Sequence, residues 1–305
     1  MSTGRLQNIA HFLLLNSEDQ KNSGFKGQLP VLYFFFTYAY KHTKKHYADF
    51  AFELLQENIS QISAKTQCSK STVHETIEMG WAIMQFVKIG FFESEGLDET
   101  LQAFDKIAIS EVQRLSRGAS HTINSERLVL CALYFMDRSD FTQENGQCEI
   151  IIREHLLIIF FEIANGIKGW DTTEVGTKLF LSFLLKNSRE HALVGHFALQ
   201  VLQELDMDFL SIEQYDKELE LDVMRYLCHY GNDNYTENGA KKLKGLLTGI
   251  TERLIQQLYE TESEDAPHVM QKVIVYSCIL LSPDERRAKL FLAYAVHKLL
   301  RSHEI

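Results

Sequence analysis

The chain has 305 residues, 45% of them hydrophobic, and a formal net charge of −10. That length holds one large domain or two ordinary ones. The acidic balance argues against a general nucleic-acid binder, whose affinity rests on lysine and arginine meeting phosphates.

Only three prolines, Pro30, Pro267 and Pro283, interrupt the chain. With many Leu, Glu, Lys and Gln, this favours long helices over a β-rich fold. Helical spacing of apolar residues predicts thirteen helices, near residues 5–16, 30–42, 46–62, 73–89, 97–116, 125–137, 148–166, 173–186, 189–205, 219–230, 238–259, 268–282 and 285–302. The fifth shows the pattern well: Leu101, Phe104, Ile107, Ile109, Val112 and Leu115 form a broad stripe beside Asp105, Glu111 and Arg114. Between helices, Asn145-Gly146, Gly231 to Asn234 and Ser282-Pro283-Asp284 are turn chemistry.

The helices alternate in character. Segments starting near Gly27, Glu75, Glu126, Thr173, Glu220 and Val269 are short and strongly apolar, and successive starts lie 48, 51, 47, 47 and 49 residues apart. The segments between them are longer and amphipathic. Two helices per unit of that length mean stacked helical hairpins. A helix enclosed by protein alternating with one that keeps a wet face suits two concentric rings. An open helical-repeat solenoid has a similar unit length, so the period leaves both arrangements standing.

The apolar runs Val31 to Phe36 and Leu156 to Phe161 are too short to span a bilayer, and the N-terminus lacks the charged, apolar, small-residue order of a secretory leader. Five scattered cysteines without CxxC spacing read as buried thiols in a reducing compartment. A cytoplasmic location and no membrane partner are therefore expected. Two local basic clusters, Lys41 to His46 and Lys241 to Lys244, read as solvated helix ends or as binding patches.

Gly27-Gln28-Leu29-Pro30 followed by the apolar-aromatic run to Tyr38-Ala39, then Tyr47 to Leu55, Met79-Gly80-Trp81-Ala82-Ile83, Gly90-Phe91-Phe92-Glu93 and Leu97-Asp98-Glu99, together resemble the lanthionine-cyclase (lanthionine synthetase C-like) family over about the first 120 residues. The resemblance implies an all-α fold, one α/α toroid domain spanning 1–305, and a place in bacterial peptide maturation. The family's cyclases hold zinc with two cysteines and a histidine, and the metal activates a peptide thiol. Aligned to that pattern, His268 stands at the ligand histidine, Pro267 replaces the adjacent cysteine, and the other cysteine position falls near Glu218. One histidine does not make a zinc site. Cys228-His229-Tyr230-Gly231 resembles the missing element but sits at a helix end. No metal and no cofactor are expected.

The resemblance without its ligands implies a non-catalytic relative that binds a peptide or a maturation enzyme at the toroid's central mouth. Glu75, Glu126 and Glu220, near inner-helix starts, and His268 are the ligand-binding candidates. Helix N-termini favour acids in any case. The alternative is a divergent enzyme, either a cyclase with a displaced zinc site or a hydrolase using these inner-ring carboxylates. Trp81 and the Phe34-Phe35-Phe36 run are expected to be structural.

Overall fold

A computed structural model describes residues 3–16, 23–64, 70–117, 125–142, 146–166, 192–205, 251–256, 258 and 266–281, with residues 180, 181, 184, 294, 295 and 298 singly. All but residues 180, 181 and 184 of the segment beginning near Thr173, the whole segment beginning near Glu220, the cysteine-histidine pair at 228–229 and the cluster Lys241 to Lys244 lie outside them. Among the described residues all regular structure is helical: α1 (Thr3–Asn16), α2 (Gln28–His42), α3 (Lys45–Ala64), α4 (Lys70–Ile89), α5 (Leu97–Arg117), α6 (Ser125–Arg138) with a 3-10 turn at Ser139–Phe141, α7 (Gln147–Gly166), α8 (Ala192–Glu204) and α9 (Ala266–Leu281). None of these helices is long and apolar enough to cross a membrane. The chain divides into two compact units, residues 1–64 with 220–305, and residues 65–219.

The alternation expected from polarity is present. Every residue from Leu29 to Ala39 in α2, from Thr76 to Phe86 in α4 and from Leu128 to Arg138 in α6 is buried. These helices have no wet face. In contrast, α5 buries Leu97, Leu101, Phe104, Asp105, Ala108, Glu111 and Val112, and α7 buries Glu149, Ile152, His155, Leu156, Ile159, Phe160 and Ile163. Spacings of three and four put each set on one helix face.

In the first unit, α2 and α3 form an antiparallel hairpin. Phe35 stacks on Tyr47 and meets Phe50 edge-on, while Phe36 meets Phe52. The hairpin turns at Thr43, whose φ of 51° is unusual for a β-branched residue. Helix α9 packs against α2 although about 240 residues separate them. The Cys278 Sγ donates to the Pro30 carbonyl at 3.0 Å, and Lys41 Nζ donates to the Leu281 carbonyl. Pro30 sits in the first turn of α2, where its missing N–H costs no helical bond.

In the second unit, α4 and α6 lie side by side and parallel. Residues that meet between them are 49 to 56 positions apart in the chain, close to the repeat period read from the sequence. Helix α5 runs antiparallel beside them and also contacts α7, and α7 runs antiparallel to α6. The result is two layers, with α4 and α6 enclosed and α5 and α7 outside. Gly80 sets the closeness of the layers: a Cβ there would stand 2.8 Å from Tyr134 Cε2 and 3.0 Å from Phe104 Cβ. The Tyr134 ring cannot swing away without losing its bond to Asp105. Replacing Gly80 with Ala gains about 1 kcal/mol of helix propensity but overpacks at a cost of about 1–3 kcal/mol. Denaturant titration should therefore show a net loss of stability.

Candidate functional site

The four residues singled out from the sequence have different fates. Glu126 is in the first turn of α6, where the helix dipole favours an acid. Glu75 lies beyond the first turn of α4, because that helix begins at Lys70, and its first turn holds no acid. The dipole therefore accounts for Glu126 but not for Glu75. The structure brings Glu126 to α4 through His74, whose Nε2 lies 3.1 Å from Glu78 Oε1 and 4.0 Å from Glu126 Oε1. Glu220 lies outside the described residues. His268 falls in the first turn of α9, where only its backbone is described. Among the described residues, no group of three or more His, Cys, Asp or Glu side chains could hold a metal ion.

The densest polar constellation is one that the sequence reading passed over. Asp137 and Arg138 end α6, and both are fully buried. Asp137 Oδ2 accepts the Trp81 indole N–H at 2.7 Å and a bond from Gln85 Nε2, and its Oδ1 accepts from Lys88 Nζ at 2.5 Å. Lys88 also pairs with Asp140 and stands over the Phe141 ring. One residue along, Arg138 points the other way. Its Nε and Nη2 donate to Asp105 at 3.0–3.1 Å, Nη2 also donates to Asp98, and Nη1 donates to the Phe141 carbonyl. Tyr134 Oη donates to the same Asp105 at 2.6 Å. Burial alone would lower the Arg138 pKa, but Asp105 and Asp98 hold it above its ordinary value. For Tyr134, burial first and Asp105 second push the phenol well up, so it stays a donor.

A third cluster lies on α5. Glu111, almost buried, takes two bonds from Arg114 at 2.7 Å and one from Arg127 at 3.1 Å. Burial pushes the Glu111 carboxyl up, but the two arginines outweigh it and hold the carboxyl below its ordinary value. Thiol chemistry is disfavoured at the three described cysteines: burial raises Cys131 and Cys278 far above the usual thiol range, and burial raises Cys148 despite Arg138 nearby. None of these three is an activated thiolate.

The surface offers a different feature. On α3 the exposed positions are polar, including Asp49, Glu53, Gln56, Glu57 and Ser60; on α5 they include Glu99, Gln102, Lys106, Gln113 and Arg114. Helix α7 instead exposes Ile150 (62%), Leu157 (52%) and Phe161 (66%), and α8 adds Leu199 (47%). Residues seven and eleven apart share a helix face, so the three α7 side chains form one outward stripe. The two helices are joined by stacked Phe160 and Phe197 rings, 3.8 Å between centroids.

No protein-family model, curated protein or solved structure matches the chain.

Two outcomes follow from this geometry. Trp81 has no exposed surface, so Trp81→Ala should cost about 3–5 kcal/mol. Trp81→Phe keeps most of the volume but removes the N–H from a buried carboxylate, with an expected cost of about 1.5–3 kcal/mol; urea titration of both variants separates packing from hydrogen bonding. For Glu111, a folded-state pKa below the unfolded one gives stability that is fully present above about pH 4.3. That stability is lost as pH falls through the folded value. Melting curves from pH 7 to pH 3 should show a shallower acid limb for Glu111→Gln than for the parent.

Proposed function

We propose that this chain is a non-catalytic binding protein on a lanthionine-cyclase-like α/α toroid, engaging a peptide or a partner enzyme of bacterial peptide maturation. Three observations support the ring. Enclosed and one-faced helices alternate. The repeat period matches the spacing of residues that meet between α4 and α6. The first and the last of the enclosed helices described, α2 and α9, pack together, whereas an open superhelix carries its ends apart.

The observation that carries the binding reading is the outward apolar stripe of α7 with Leu199 of α8. The corresponding faces of α3 and α5 are polar, so repeat architecture does not require it. Exposed apolar surface bordered by polar residues marks an interaction site; here Arg153 lies beside the stripe and Glu154, one turn after Ile150, lies on it between Ile150 and Leu157. The cyclase alternative is disfavoured by ligand count: His268 would stand beside Pro267, and Cys278, the thiol described in its own unit, is buried with its pKa raised by that burial. The His74, Glu78 and Glu126 group is what favours a hydrolase, but Glu78 is nearly buried and already held by His74, which leaves it poorly placed to meet a substrate.

The test uses a photo-crosslinking residue at position 157 or, as control, at 102, in the cells that produce the protein, together with metal analysis of the purified chain. A discrete adduct to a maturation-cluster peptide or enzyme from position 157 alone, with zinc well below one per chain, is expected. No adduct at 157, or equal adducts at both positions, overturns the binding reading. One zinc per chain, lost on His268→Ala, restores the cyclase.

A further inference from the structure

The corner between α2 and α3 carries residues that local stability does not select. Tyr40, on the last turn of α2, is 73% exposed. Thr43 takes the left-handed conformation that β-branched residues avoid. Lys44 and Lys45 then stand at the N-terminal end of α3, where the helix dipole repels cations, and the first turn of α3 contains no acid. His46 follows, and Lys41 and His42 precede. All but His42, which is half-buried, are exposed. No described carboxylate pairs with Lys44 or Lys45, although Asp49 follows one turn later. In a chain of net charge −10, this is a local run of positive charge, with an exposed aromatic side chain four residues before Lys44.

Lys41 and His42 suit the C-terminal end of α2, and Thr43 closes that helix through its N–H to the Ala39 carbonyl; the lysines that open α3 have no such local reason, and a residue that local stability disfavours is a candidate for function. We propose that this corner docks an acidic stretch of polypeptide, its carboxylates meeting Lys44 and Lys45 and an apolar side chain covering Tyr40. Charge complementarity selects an anion. The extent of the patch selects a short one: along α3 the exposed face turns acidic at Asp49, Glu53 and Glu57. A nucleic acid or an anionic bilayer extends beyond three lysines and would meet that acidic face. A peptide segment can end at the corner. The inference stands on residues 40–46 and does not depend on the α7 stripe or on ring closure.

The test measures the full chain against a fluorescein-labelled peptide of alternating glutamate and leucine, by anisotropy at physiological ionic strength. Saturable binding is expected, weakened about tenfold in the Lys44→Glu/Lys45→Glu variant and severalfold in Tyr40→Ala. The double variant places acids at the start of α3, so its melting temperature should rise while its affinity falls. A corner that is merely solvated would show the rise in melting temperature without any loss of binding, and that result overturns the proposal. So does unchanged affinity in Tyr40→Ala, or tighter binding to a single-stranded oligonucleotide or to phosphatidylserine vesicles than to the peptide. A Glu57→Lys control, about three turns beyond the patch, should leave the affinity within twofold; a larger change would assign binding to net charge and overturn the corner as the site.

Discussion

Arg138 has no exposed surface, and an arginine cannot shed its charge. Its guanidinium must therefore be met inside the protein, and Asp105 meets it from the neighbouring helix. Taking both charges out of water costs several kcal/mol per ion, so such a pair adds little net stability over well-packed apolar residues. What it does is penalise every other arrangement. Slipping α5 by one turn against α6 would leave Arg138, Asp105 and the Tyr134 hydroxyl without partners at once. The register of the two layers thus depends on this contact. Gly80, which lets α4 come close to Tyr134 and Phe104, works only in that register.

Asp137 does the same for the inner layer. Its neighbours Trp81, Gln85 and Lys88 recur at intervals of four and three along α4, so one carboxylate satisfies two turns of the next helix. A helix with no wet face cannot send its polar atoms to water. The two adjacent charges at the end of α6 divide the task, one binding the enclosed helix beside it and the other the outer helix. Because adjacent residues on a helix point about 100° apart, a single Asp-Arg step suffices to reach both.

Much of the helical plan was legible because its signals are local. The apolar stripe of α5, the all-round apolar runs of α2 and α6, and the near-48-residue period all follow from which residues meet water. The helix ends near Lys70 and Ala266 were less legible, since polar first turns such as Lys70-Ser71-Thr72 carry no periodic signal. The Asp137–Arg138 hub was not legible either. Its only trace was an Asp-Arg pair closing an apolar helix, with Gln85 and Lys88 inside another, and pairing partners 33 to 56 residues away leave no mark in a local window. Glu75, Glu126 and His268 could be placed on their helices from spacing. What they touch depends on packing, and His74 was found only once α4 and α6 were seen side by side.

The distribution of unmet chemistry separates interior from surface. In the described interior the charged side chains of α4, α5 and α6 are bound to one another: Asp137 with Lys88, Arg138 with Asp105, Glu111 with Arg114 and Arg127. A catalytic acid or nucleophile needs a reactive group turned towards a substrate, with its pKa moved towards the working pH. Here Glu111 is held down, the buried thiols are held up, and both lie far from neutrality. The departures from ordinary stabilising chemistry are instead on the outside, at Ile150, Leu157 and Phe161 and at the Tyr40 to His46 corner. Solvent-facing side chains are free of the packing constraints that fix the core, so an apolar stripe or an unpaired lysine there is not forced by the fold. It is at these two surfaces, where the fold does not demand the residues present, that we propose contact with another molecule.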